Sequence, residues 1–147
     1  MSIFLFVVGH DWHYPMGLVV NNANTNVYVG DRHLVSRINN IDIANGNVAT
    51  ENYVVNEICG NILPGLRDAN GTSARFNEPR YVAIDKNDRY LYVSDVLNYR
   101  LRRIDLLDAQ SSVVTYGTYL NVAGTATTET NGIAIDTANN FIYAVAT

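Results

Sequence analysis

Apolar residues along this chain come in short runs rather than at helical spacing. Gly17-Leu18-Val19-Val20-Asn21 has counterparts in Tyr81-Val82-Ala83-Ile84-Asp85 and in Gly132-Ile133-Ala134-Ile135-Asp136. Eleven positions after the start of each comes a tyrosine, Tyr28, Tyr92 and Tyr143, inside a second apolar run. Runs this short, rich in Val, Ile and Tyr and bounded by Asn, Asp and Pro, predict strands. Between first and second runs lie Asn21-Asn22-Ala23-Asn24, Asp85-Lys86-Asn87-Asp88 and Asp136-Thr137-Ala138-Asn139-Asn140, which carry turn chemistry.

The repeat extends further in two copies. A third run is expected from Arg37-Ile38 through Ile41-Asp42-Ile43, matched to Arg100-Leu101 through Ile104-Asp105-Leu106. A fourth is expected at Val54–Gly60 and at Leu120–Gly124, with Phe6-Val7-Val8-Gly9 as the last strand of a preceding unit. Each unit therefore reads as a four-strand antiparallel meander. The first strands are apolar on both faces, as strands covered on both sides are. Four-stranded sheets repeated in tandem with a doubly covered inner strand predict an all-β fold of β-propeller blades in an incomplete ring. The expected divisions are residues 1–10 for the preceding strand, 15–60 and 79–124 for two blades, and 130–147 for the start of another.

The stretch Gly71 to Asp85, with Ala74-Arg75-Phe76-Asn77-Glu78-Pro79 leading into the first strand, continues to Tyr92-Val93-Ser94-Asp95 and Asn98-Tyr99-Arg100-Leu101-Arg102-Arg103-Ile104. It resembles the NHL repeat. The flanking copies depart from that pattern: the first keeps only Pro15 of the lead-in, and the third lacks the proline and the aspartate after its tyrosine strand. The resemblance implies a propeller, an architecture that hosts many functions.

Composition narrows the partners. The 147 residues are 48% hydrophobic and only 16% charged, with a formal net charge of −4, a balance that argues against nucleic acid as partner. Arg100, Arg102 and Arg103 form the basic cluster, and strand alternation puts Arg103 on the opposite face from the other two. No segment is apolar and long enough to suggest a membrane span, and Ile3–Val8 is too short for one and lacks a preceding basic residue. The single cysteine, Cys59, reads as a small buried strand residue. The compartment is left open; an extracellular setting fits if the chain belongs to a longer protein.

Residues just before the first strands would line one mouth of a propeller channel. These are His13, Tyr14, Asn77, Glu78, Arg80, Glu129 and Asn131, a mixed polar set that either binds a ligand or is ordinary loop polarity. His10 and His13 beside Asp11 lack a third ligand, so no metal site is assigned. No catalytic residue and no cofactor are expected. Asp31 with Arg37 and Asp95 with Arg100 read as weak pairs within a blade. Asn70-Gly71-Thr72 is a glycosylation sequon, relevant only to a secreted chain.

Two blades, the last strand of a preceding one and half of a following one leave open apolar faces, expected to be covered by other protein chains or further copies of this one, or by more of a longer polypeptide. The reading is a non-catalytic binding or structural module, an NHL-like segment mediating protein interaction or assembly in a larger complex. The alternative is a fragment of a metal-dependent propeller hydrolase or lyase, of the lactonase or amidating-lyase type, holding calcium.

Overall fold

The computed structural model describes residues 10–39, 53–118, 130–136 and 141–146. The fold is all-β. A first sheet takes β1 (Pro15–Val20), β2 (Val27–Asp31), β3 (Leu34–Asn39) and β4 (Val54–Gly60) in sequential antiparallel order. The second contains β6 (Pro79–Ile84), β7 (Tyr90–Asp95), β8 (Arg100–Asp105) and β9 (Ser112–Thr118), extended at its outer edge by the two-residue β5 (Ala69–Asn70). The hairpin of β10 (Thr130–Asp136) and β11 (Phe141–Ala146) begins a third. These are propeller blades in an open array.

Register bears out the tyrosine spacing. Val19 faces Tyr28, Ala83 faces Tyr92 and Ala134 faces Tyr143 across their hairpins. The turns repeat as well. Asn21 Oδ1 accepts from Thr25 N and Asn26 N, as Asp85 Oδ1 accepts from Arg89 N and Tyr90 N, all at 2.8 Å. Both turns close through a residue in the left-handed region, Asn24 (φ 58°) and Asp88 (φ 56°). Asp88 also reaches the neighbouring sheet, accepting from Asn22 N at 2.8 Å and Ala23 N at 3.1 Å.

The inner strands β1, β6 and β10 lie side by side, so the sheets fan from a common centre. Gly17 and Gly30 mark the closest approach. A Cβ on Gly30 would sit 2.5 Å from the Pro79 carbonyl oxygen, and one on Gly17 would lie 3.0 Å from Tyr81 Cα. The main core fills the wedge between the two sheets: Tyr28, Val35 and Cys59 from the first meet Val82, Leu91, Val93 and Ile104 from the second and Phe76 from the loop before β6. Cys59 is buried as expected, and burial pushes its thiol far upward.

Double coverage holds for β6 but not for β1 or β10, because among the described residues only β6 has a blade on each side. Val82 is 7% exposed, whereas its counterpart Leu18 is 67% exposed on the outward face of the first sheet. That face has a smaller cluster of Val27, Val29 and Ile38, packed by Trp12, Val20, Tyr53 and Val55. At the other end Phe141, Tyr143 and Val145 project from one face of β11, each more than half exposed.

Three details of the repeat differ from the sequence expectation. Arg37 pairs across Tyr28 and Arg103 across Tyr92, so Arg37 corresponds to Arg103, not Arg100. Matching Arg37 to Arg100 makes the second copy one residue shorter after its aspartate, yet its connection is longer: β2 and β3 join through Arg32-His33, while β7 and β8 join through the 3-10 turn Val96–Asn98 and Tyr99. The fourth place in the second sheet belongs to Ser112–Thr118; Leu120–Gly124, Ile41–Ile43 and Phe6–Gly9 lie outside the described residues.

Candidate functional site

Asp31 and Asp95 end the second strands and are completely buried. Each fixes the loop leading into its own first strand. Asp31 accepts from His13 N at 3.0 Å and from Tyr14 N, and Asp95 accepts from Asn77 N at 2.7 Å. The two loops are thereby presented at the same end of the fan, where His13 and Tyr14 occupy the places of Asn77 and Glu78. The aspartates do not pair with Arg37 and Arg100. Asp95 binds Arg102, two residues further along β8, at 2.7 Å. Arg100 instead donates to the Tyr99 carbonyl, and the Asp31 carboxylate lies 3.7 Å from His13 Nδ1.

Arg102 is a structural hub, not part of a basic surface. Its guanidinium donates to Asp95 Oδ2, Asp68 Oδ1 and the carbonyls of Arg67 and Arg75, at 2.7–2.9 Å. It also lies 4.9 Å from the Phe76 ring centre. This ties the 67–76 loop to the sheet. Burial raises the Asp95 carboxyl pKa, opposed by hydrogen bonds from Asn98, Asn77 N and Arg102. Burial also acts upward on Asp68, but the Thr115 N–H and hydroxyl with Arg102 outweigh it and hold that carboxyl below its usual range. Arg103, on the opposite face, stacks over Tyr90 and Tyr116.

A cleft of about 410 Å³ opens between the two lead-in loops, lined by His13, Tyr14, Arg32, His33 and Glu78. Glu78 adopts φ 56°, which turns its N–H toward His33 Nδ1 at 3.4 Å, while its carboxylate binds Arg80 Nη2 at 2.8 Å. Three candidate residues thus line the cleft, and Arg80 adjoins it through Glu78. Asn77 works beneath it through its backbone: its carbonyl accepts from Leu97 N at 3.0 Å. Asn131 belongs to β10, and Glu129 lies outside the described residues.

Arg32 and His33 were not among the sequence candidates. They fill the two-residue connection between β2 and β3, which the repeat alignment treated as spacer. A signal was available: a two-residue turn after a strand ending at the same mouth must place its side chains beside the lead-in loop. Burial lowers the His33 pKa, and the Arg32 charge adds to this. Both favour the neutral imidazole, the form in which Nδ1 can accept from Glu78 N.

The sign of the pH effect follows. The unfolded chain takes up a proton at His33 near pH 6.5 while the folded one resists, so this contribution to stability is complete above about 6.5 and declines as pH falls. Protonation also removes the acceptor for Glu78 N. Titration followed by amide NMR is expected to shift Glu78 N–H together with the His33 ring signals below about pH 6.5, and His33→Gln should abolish that linked step. An unmoved Glu78 amide would refute the coupling.

Among the described residues no group of three or more His, Cys, Asp or Glu side chains is placed to hold a metal. His10 packs edge-on against Trp12. At the sequon, Asn70 Nδ2, the atom a glycan would join, donates to Gln110 Oε1 at 2.6 Å. No helix among the described residues is long and apolar enough to cross a membrane.

No family model matches the chain, and no curated protein matches it. Solved structures do. The chain is similar to an auxiliary nutrient binding protein of Bacteroides thetaiotaomicron, with a TM-score of 0.65 at 15% identity over 86% of this chain and 33% of that one. A protein of the same organism to which phosphatase activity is provisionally assigned gives 0.65 at 16% identity, over 86% and 31%. An auxiliary nutrient binding protein of Bacteroides ovatus gives 0.64 at 17% identity, over 86% and 33%. The shared feature is the fold. The chain spans about one third of the length of these structures.

Proposed function

We propose that this chain is a non-catalytic binding and structural module, an NHL-like propeller segment that mediates protein interaction or assembly in a larger complex. The observation supporting this is the contrast between equivalent positions. Tyr28, facing the next blade, is 4% exposed, whereas Tyr143 in the same place on β11 is 57% exposed. The partners that fit are other protein chains or further copies of this one, adding blades to either end of the fan. The lead-in cleft at His13, Tyr14, Glu78 and Arg80, with Asn77 beneath it, is the proposed contact site, to which Glu129 and Asn131 would contribute from the third blade. Two of the similar structures are described as nutrient binding proteins, which supports binding over catalysis.

Sedimentation velocity tests the reading. The 147-residue chain is expected to show a mass above the monomer that rises with concentration. Leu18→Asp and Tyr143→Asp, each placing a charge on an open face, should lower it without loss of β-sheet signal. A folded monomer at every concentration would refute assembly. Stoichiometric calcium together with turnover of lactone or ester substrates would replace the reading with that of a metal-dependent propeller hydrolase or lyase.

A further inference from the structure

A second cleft, of about 580 Å³, opens in the outer part of the wedge between the two sheets. It lies at the opposite end from the lead-in loops, walled by β4, the 3-10 turn Gly71–Ser73 and the connection from β8 to β9. Its polar groups include one guanidinium, Arg37, two carboxylates, Glu57 and Asp108, and the side-chain amides of Asn70 and Gln110. Ile58 and Leu106 supply apolar surface. The volume suits a ligand of one or two rings.

The internal bonding leaves a specific complement. Asn70 Nδ2 donates to Gln110 Oε1, so Asn70 keeps its carbonyl oxygen as acceptor and Gln110 keeps its NH₂ as donor. Gly71 N donates to the Ser111 carbonyl at 3.3 Å, which ties the two loops together, and Gln110 N donates to Asp108 Oδ1 at 3.0 Å within the β8–β9 connection. The same hydrogen bond from Gln110 N, with help from Ser112, holds the Asp108 carboxyl below its usual range, so it remains an ionised acceptor. The Arg37 guanidinium is engaged with the Tyr28 hydroxyl, and its Nε is buried. Two carboxylates against one guanidinium disfavour anions, and the guanidinium disfavours amines. A hydroxyl, which donates and accepts at one atom, fits the alternating acceptors and donors.

From this geometry we infer that the cleft between β4 and the β8–β9 connection binds a neutral, hydroxyl-rich ligand of the saccharide class, gripped by Asn70, Gln110 and Asp108. The site is separate from the assembly faces and from the lead-in cleft, so it stands or falls independently of the function proposed above.

The test is a titration of the ¹⁵N-labelled chain with maltose, cellobiose and lactose at millimolar concentration. At least one is expected to shift the Asn70 and Gln110 side-chain amides together with Gly71 and Ser111 N–H, and Gln110→Ala is expected to weaken it by roughly tenfold. That variant alters an exposed side chain, and an unchanged spectrum away from the cleft verifies its fold. Three outcomes would overturn the inference: no response to any of the three sugars, an equal response in Gln110→Ala, or stronger shifts with glucuronate or glycylglycine than with the neutral sugars.

Discussion

Replacing Arg102 with alanine is expected to destabilise the chain by about 3–5 kcal/mol, the usual consequence of removing one partner from a buried ion pair. Total stabilities of domains are only about 5–15 kcal/mol, so much of the population should unfold at physiological temperature. The guanidinium is fully buried and fills four acceptors from three segments: β7, the Arg67-Asp68 stretch and the Arg75 carbonyl. Without it Asp95 keeps its bonds to Asn77 N and Asn98 but carries a buried, uncompensated charge. Arg102→Lys should recover little, because one ammonium cannot span the acceptors that a planar fork reaches. Arg100→Ala, at the position that strand reading alone would favour, should change stability by less than about 0.5 kcal/mol. Urea denaturation of the three variants separates the cases. Equal midpoints for Arg102→Ala and Arg100→Ala would show that the hub is dispensable.

Gly17→Ala is expected to be a strongly damaging single-methyl change, costing about 1–3 kcal/mol by overpacking. Its Cβ would fall on the Arg80 carbonyl oxygen of the adjacent sheet, and neither backbone can yield without separating the blades. Two glycines serve as controls. A Cβ on Gly117, in β9, meets nothing within 4 Å, so alanine there should be close to neutral. Gly132 holds the same place on β10 as Gly17 on β1, yet it too meets nothing within 4 Å, because its face points toward where a further blade would stand. Gly132→Ala should therefore leave the melting temperature of the chain unchanged. A loss at Gly132 equal to that at Gly17 would contradict the direction of the fan.

The first and second strands of each unit, the turns between them and the tyrosine spacing were legible in the sequence because each rests on local chemistry, whereas the fourth strand of the second blade, Ser112–Thr118, was not. Asn21 and Asp85 close their turns through neighbouring amides, and alternation along each strand fixes which residues share a face. What depends on contacts distant along the chain was not legible. Arg37 could be aligned with Arg100 only by taking the connection in the second copy to be one residue shorter, and the 3-10 turn at Val96–Asn98 makes it longer instead. The choice of Arg102 over Arg100 as partner of Asp95 needs the 67–76 loop, whose carbonyls are what make a buried guanidinium tolerable. His33 escaped notice for a related reason: its role arises from Glu78, 45 residues away, turning its N–H inward. The candidate cleft was half visible, since the lead-in positions His13, Tyr14 and Glu78 follow from the repeat, whereas the hairpin tip facing them does not.

Blade-to-blade contact at the centre of the fan can be observed directly by NMR. An α proton of Gly17 occupies the position from which a Cβ would lie 3.0 Å from Tyr81 Cα, so a nuclear Overhauser cross-peak is expected between it and the α proton of Tyr81, 64 positions apart in the chain. If the Gly17 α protons instead show cross-peaks only within their own hairpin, to Gly30 and its neighbours, the two sheets do not share an axis and the account fails.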